Sequence, residues 1–573
     1  MKPYLATESG SAKAFEKTGR YDWEEGSPEA VTKWAILSAS LIITAGLAAI
    51  VALAPPAFFL SHLVNDQLLY FLMAKSVAQH GTPVVAQAVN LAPFTYAYGI
   101  AYLYAGVFKL FVLFEDQIRG IQAINLALIF SYMLLTLNYM AKVVPRLPVI
   151  LMAGICGTAM LLDSRWLYIA TMPNSDIVPA LATVAAMFIA HPVFQPRQDD
   201  GGHVDVTARL VAIAALGGIG LFVKMSLVIL PLVFVFLLLI ETRYVDSRYR
   251  SFLFIAALTG VGILFILNGD VAKTYFRVLV EHHIFHDQAG SASGLLRSLA
   301  VWIANVIFSA VPNFIIPKSH HFLFNNIAFP NDPLAAAAYT APVIVGMFLG
   351  LSITGITAVG GVRLWALCRF EMVCLLSCVQ IFMLLPDSTA RYLIAFHPLF
   401  WASFFAGLPH RLPAFLVRHR TKLVAGTTLT VVVFLYYQAL ALWNRNASGM
   451  AQAEYLGEVG RVYQGVLDQL RSRQPATTRI VFFNEVPGSS AKWRAATEIP
   501  FYAPDAKLPV VAKDFHTLVV LSCVSSECGS FDATRRFRFE ALRRTGNYQF
   551  TLKSDIRSNT AQARIYEISP LVK

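Results

Sequence analysis

Apolar runs of about twenty residues recur from position 33 to position 443, and that recurrence limits the possible folds more than any other feature. A hydrocarbon core about 30 Å thick needs about twenty apolar residues of helix to cross it. Within it every backbone N–H and C=O must be satisfied inside the segment, so each run reads as a helix. Composition agrees: of 573 residues 56% are hydrophobic and 14% charged, against about 25% charged in soluble domains. The formal charge of +12 is therefore read by position. Lys and Arg gather beside the ends of the apolar runs, as the positive-inside rule expects, and not in a nucleic-acid footprint. The chain reads as a polytopic membrane protein surrounded by membrane lipids, with no nucleic-acid partner.

The same rule orients the spans. Residues 1–33 are polar and mixed in charge, and Lys13, Lys17, Arg20 and Lys33 put them on the cytoplasmic side. An uncleaved first helix is expected to do the targeting. The first span, about 34–55, leads to a long outer segment, 56–118, whose piece LAPFTYAYGIAYLYAGVFKLF is read as lying along or dipping into the interface. The second span, about 119–140, returns to Lys142 and Arg146, the third, 147–164, leads out to SRWLYIATMPNSD, and the fourth, 177–191, comes back. Spans five and six flank Lys224, and the seventh, 251–267, opens a long outer loop over about 268–335. An eighth span at about 336–360 and three more bring the count to about eleven, within a helical membrane domain over 34–443.

Residues 444–573 are polar and fall on the outer side. A helix-like run, EYLGEVGRVYQGVLDQL, precedes four strand-like runs, RIVFFNEV, HTLVVLSCV, YQFTLKSD and ARIYEIS, which together suggest a small α/β domain. Cys523 and Cys528 lie in this region, where an oxidising compartment would allow a short-loop disulfide.

Polar residues at the outer ends of the spans carry what chemistry the sequence offers. NDQLLYFLMAKSVAQHG, 65–81, reads as an amphipathic helix with Asp66 one turn before Tyr70, so the two share a face. Asn-Asp is also a common helix start, and Asp66 equally suits an N-cap. In SRWLYIATMPNSD, Asp176 stands just before the fourth span, and Asn174 or Asp176 suits a cap after the helix-breaking Pro173. In VEHHIFHD, 280–287, His282 and His286 are four apart and could chelate one divalent metal on a helix, with Glu281 and His283 as further ligands. The same stretch also reads as a plain interfacial helix. Lys224, in GLFVKMS, sits between two short apolar pieces, where a lysine points to function. In PDSTARYLIAFHP, Arg391 and Tyr392 open a span, and the arginine either snorkels to headgroups or holds a phosphate.

The chain has no Walker A loop, no dinucleotide glycine pattern after a strand and no HExxH. With the polar motifs outside, a cytosolic nucleotide substrate is not expected. A transporter or flippase for lipid-linked sugars, or a scaffold whose outer domain binds a partner, remains open at this point. A transporter would place polar residues at mid-membrane in broken helices, and here they gather at one face.

Taken in order, these motifs resemble the GT-C superfamily of polytopic glycosyltransferases, of the aminoarabinose–lipid A transferase and protein O-mannosyltransferase type. The likeness covers about residues 35–410. It runs through Asp66 and Tyr70 in the first outer loop, Asp176 in MPNSDIVPA, Lys224, then Glu281, His283 and Ile284, and finally Arg391 and Tyr392 in RYLIAFHP. Where the family often has two adjacent acids, this chain has Asn65-Asp66, and Ala92-Pro93 stands where the lipid-A group has Lys-Pro.

The resemblance implies a polyprenyl-phosphate sugar donor and a lipid, glycan or protein acceptor. The acceptor nucleophile attacks the anomeric carbon as lipid phosphate leaves, and the centre inverts. Asp66 is the expected general base, Tyr70 orients the donor or Asp66, and Asp176 positions the acceptor or the base. Lys224, His283, Arg391 and Tyr392 are the expected donor and phosphate contacts, with a divalent ion as a further helper. The implied location is the bacterial inner membrane, with the site and residues 444–573 on the periplasmic side.

Overall fold

The computed structural model describes residues 28–53, 65–81, 99–194, 341–365, 393–409, 479–484, 501–502, 515–524 and 538–570, with single gaps inside these ranges and isolated positions elsewhere. Up to residue 409 the described residues are mostly helical. Among the described residues three helices are long and apolar enough to cross a membrane: α1 (Pro28–Leu53), α4 (Phe114–Val143) and α8 (Ala341–Trp365). Shorter helices lie between them: α2 (Asn65–His80), α3 (Gly99–Leu110), α5 (Val149–Leu162), α6 (Ser164–Thr171) and α7 (Ile177–Phe194). A 3-10 turn (Leu393–Phe396) leads into α9 (His397–Gly407). The chain is an integral membrane protein of mostly helical build.

Several edges differ from the expected ones. The second span extends to Phe114–Val143, since Asp116 in its first turn favours the positive end of a helix. The eighth lies five residues later, so Arg363 falls within its last turn and not beyond it. The third ends at Leu162, because Asp163 leaves the helical conformation (φ −81°, ψ 117°) and its carbonyl starts α6. Nor is α2 sharply amphipathic. Tyr70, Phe71, Met73, Ala74, Ser76 and Val77 are all buried, which covers a wide arc of its circumference. α3 packs against it, and the cluster they share takes in Ile118, Ile121 and Met172.

The main core joins α1, α4, α5, α6, α7 and α9. Where α1 crosses α5, a Cβ on Gly157 would come within 2.6 Å of Ile43, so glycine permits the close approach. An aromatic group fills the centre: Trp166 packs against Tyr132 at 5.2 Å and edge-on to His397 at 5.8 Å, and His397 meets Trp401 at 5.2 Å. A second cluster joins α2, α3, the start of α4 and Met172.

Toward the C-terminus lies a five-stranded sheet in the order β2-β1-β3-β5-β4. Its strands are β1 (Arg479–Asn484), β2 (Phe501–Tyr502), β3 (Phe515–Cys523), β4 (Tyr548–Arg557) and β5 (Ala561–Pro570). β1 runs parallel to β2 and β3, while β5 is antiparallel to β3 and β4. The register of β4 shifts between Leu552 and Ser554, which leaves Lys553 as a bulge. Helix α10 (Arg538–Arg544) covers one face, stacking Phe539 on Tyr566 at 5.1 Å. All four strand-like runs of the sequence form strands. The described residues of the helix-like run, among 461–470, are helical, with Val462, Val466 and Leu470 buried at a spacing of four. A Cβ on Gly465 would lie 3.3 Å from Ile556, so this helix approaches β4. The location of Cys528 lies outside the described residues.

Candidate functional site

Asp66 is the second residue of α2, where the unpaired N–H groups of the first turn favour a carboxylate. Tyr70, one turn further on, is 7% exposed and packs in the cluster that contains Ile100, Tyr104, Ile121 and Met172. Asp176 is 8% exposed. It holds the N-cap position of α7: its carbonyl accepts from the Ala180 N–H at 3.1 Å, and its own N–H donates to Asn174 Oδ1 at 3.1 Å. These two bonds hold the Asp176 backbone between Asn174 and the first turn of α7.

Pro173 ends α6, so the last carbonyls of that helix lack helical partners. Side chains supply them. Asn174 Nδ2 donates to Ile169 O at 2.9 Å and to Met172 O at 2.8 Å, and Asn125 Nδ2 donates to Met172 O at 3.0 Å. Gln122 Nε2 reaches Thr171 O at 3.4 Å. Tyr104 Oη donates to Asn125 Oδ1 at 2.6 Å and lies 3.2 Å from Asn174 O. Burial pushes the Tyr104 phenol well above its ordinary range; the bonds to Asn174 and Asn125 oppose this and the nearby Asp176 carboxylate adds to it. The hydroxyl therefore stays protonated and available as a donor.

Arg119, Gln122 and Asn125 follow at spacings of three along the first turns of α4, which puts them on one side of the helix. Arg119 Nη1 donates to Gln122 Oε1 and to Val51 O, both at 3.0 Å. Val51 lies in the last turn of α1, whose carbonyls are otherwise unpaired, so the arginine ties the end of α1 to the same network.

From the other side comes the described part of RYLIAFHP. The turn Leu393–Phe396 packs on α7, and Ile394 O accepts from Tyr132 Oη at 2.8 Å. Ile394 shares the main core with Ile169, Ala170 and Ile177. Residues 168–178 thus contribute to both clusters: Met172, Tyr168 and Val178 to the one that holds Tyr70, and Ile169, Ala170 and Ile177 to the core that holds Ile394. Lys224, Glu281, His282, His283, His286, Arg391 and Tyr392 lie outside the described residues. Among the described residues no group of three or more His, Cys, Asp or Glu is placed to hold a metal ion.

Sequence reasoning did not single out Tyr104, Gln122, Asn125 or the buried Asp163, which is 3% exposed. A signal existed for Asn125 and Asp163. A polar side chain inside an apolar run is expensive and so points to a specific partner or role.

No family model matches the chain, and no curated protein matches it by sequence. Solved structures do. ArnT from Cupriavidus metallidurans, bound to undecaprenyl phosphate, is similar over 94% of this chain and 98% of its own, at 11% identity and a TM-score of 0.50. The archaeal oligosaccharyltransferase AglB from Archaeoglobus fulgidus, in complex with an inhibitory peptide and a dolichol-phosphate, is similar over 90% of this chain and 72% of its own, at 12% identity and a TM-score of 0.48. At these identities the likeness concerns the fold, and it extends over nearly the whole of both this chain and ArnT. The fold of this chain is thereby like that of ArnT.

Proposed function

We propose that this protein is a membrane glycosyltransferase that moves a sugar from a polyprenyl-phosphate donor to a lipid, glycan or protein acceptor, with inversion. The observation that carries the reading is a fold like that of ArnT over nearly the whole chain, in which the segment that bears Asp176 contributes both to the cluster of Tyr70 and to the core of Ile394. ArnT itself was crystallised with undecaprenyl phosphate. Asp66 serves as general base toward the acceptor's nucleophile. It stands at the start of a helix that follows the first span, so a donor anchored by its lipid can bring its sugar there without a carboxylate being buried at mid-bilayer, where charges cost about 2.5–3.5 kcal/mol on insertion scales. Asp176 positions the acceptor or the base. Tyr70 supports the Asp66 helix from the buried side. Lys224, His283, Arg391 and Tyr392 stabilise the charge that develops on the leaving phosphate. The site faces the periplasm from the inner membrane, with residues 444–573 on the same side.

The test is transfer of a labelled sugar from a polyprenyl-phosphate donor by the purified chain in nanodiscs. Asp66→Asn is expected to lower transfer at least about a hundredfold, the lower range of general-base contributions, while donor binding persists. Full activity in that variant would remove Asp66 from the role. Lipid-sugar counter-flow across liposomes with no glycosylated product would instead identify a transporter.

A further inference from the structure

The segment that carries Asp176 is held by two side chains from other helices, Tyr104 of α3 and Asn125 of α4. We propose that Tyr104 and Asn125 form one positioning unit that sets the place of Asp176 for the transfer step, an inference that rests on the reading of Asp176 given above.

The hydrogen-bond order supports a unit and not two separate contacts. A phenol has one proton to give, and the 2.6 Å distance to Asn125 Oδ1 assigns it there. That bond fixes which way the Asn125 amide points, so its Nδ2 faces the Met172 carbonyl at 3.0 Å. With its proton committed, the Tyr104 oxygen can accept from the Asn174 N–H at 3.5 Å. Asn174 then turns its own Nδ2 to Ile169 and Met172, which leaves Oδ1 to receive the Asp176 N–H at 3.1 Å. A continuous path of bonds thus links α3 and α4 to the backbone of Asp176.

Tyr104 and Asn125 are fully buried and Asn174 is 2% exposed. Water cannot replace a missing member of the path, so each bond constrains its neighbours more than it would at a surface. Apolar packing could hold the segment in place, but it would not fix the rotation of its peptide groups. Directional bonds to Met172 and Asn174 do so, and the adjoining Asp176 inherits that orientation.

The experiment uses the full chain in nanodiscs and two readouts. Tyr104→Phe removes one oxygen and keeps the ring. Amide hydrogen exchange over residues 168–180 should speed up about tenfold, as expected for loss of one buried hydrogen bond, while α1 and α8 stay as in the wild type. In sugar transfer, kcat should fall about tenfold with the donor KM unchanged. Combined with Asp176→Asn, Tyr104→Phe should add no further loss, since residues acting through one another are not additive. A fully additive loss, or exchange at the wild-type rate, would overturn the proposal.

A second variant separates positioning from simple stability. Tyr104→Phe combined with Asn125→Leu removes the Tyr104–Asn125 bond from both sides, so no buried hydroxyl is left facing an apolar side chain. Its Tm should lie above that of Asn125→Leu alone while kcat stays low; recovery of kcat along with Tm would also overturn the proposal. If the wild-type chain transfers no sugar from any polyprenyl-phosphate donor, the proposed function fails, and the exchange readout still decides whether Tyr104 and Asn125 hold the segment.

Discussion

The pair α8–α9 and the group around residues 168–178 are joined in opposite ways. Between α8 and α9 the backbones nearly touch. A Cβ on Gly360 would overlap the Ser403 carbonyl, and one on Gly407 would overlap the Ile356 carbonyl. The crossing depends on two missing side chains and on shape, as is common where membrane helices pack closely. Around residues 168–178, α3 and α4 approach through Tyr104, Gln122 and Asn125, and the contact consists of directed hydrogen bonds. Steric fit decides how near two helices come. Hydrogen bonds decide how an irregular stretch of backbone is turned, which is what a segment bearing Asp176 requires.

The largest effect is expected on the steric side. Gly360→Val places two methyl groups against backbone that has no rotamer to yield, so the loss should exceed the roughly 1–3 kcal/mol usual for overpacking. The chain should fail to give a monodisperse peak in size-exclusion chromatography; a normal peak and Tm would refute the close crossing. Next in size is Asn125→Ala. It removes the nearer of the two acceptors of the Tyr104 hydroxyl and a donor to the Met172 carbonyl, and costs about 1–3 kcal/mol, the penalty for weakened hydrogen bonding of buried polar groups. Thermal unfolding in nanodiscs should show a lower Tm, with exchange raised around residues 168–178 more than in α8.

Smaller again is Arg363→Met. Arg363 Nη1 donates to Ala406 O at 2.8 Å near the C-terminal end of α9, a cap expected to contribute about 0.3–1 kcal/mol. A modest fall in Tm, with transfer unchanged, is the expected result. The smallest change has the opposite sign. A Cβ on Gly106, inside α3, would meet nothing within 4 Å, so Gly106→Ala should raise stability by about 0.5 kcal/mol through a lower helix penalty. A drop in Tm would show that α3 has a neighbour at that position.

Among the described residues the long helices were legible because the apolar runs are long and their ends are marked by charge; the expected spans on either side of Lys224, at 251–267 and at 423–443 lie outside the described residues. Thr32–Ala52 within α1 and the strand β3 follow directly from such patterns. β2 escaped notice because its two residues are too short to show a period, and α10 because its basic, aromatic sequence has no clear apolar stripe. In the candidate site, Asp66, Tyr70 and Asp176 were visible as polar residues at the ends of apolar runs. The bond network was not. Tyr104 meets Asn174 across seventy positions of sequence, and no local spacing rule connects residues so far apart. Asn125 lay hidden inside a run whose length alone had explained it.

The two rims of the sheet differ in sequence and share a consequence. β2, at one edge, has only two residues, and β4, at the other, is interrupted by the bulge at Lys553. Copies of a protein confined to a membrane collide in two dimensions, far more often than the same number free in solution. A long, flat, unpaired strand edge would recruit such a neighbour into a ribbon. Here one rim is too brief to act as a template, and the other is bent and carries an ammonium group. Both rims thus carry features by which natural sheets blunt their edges against a second copy.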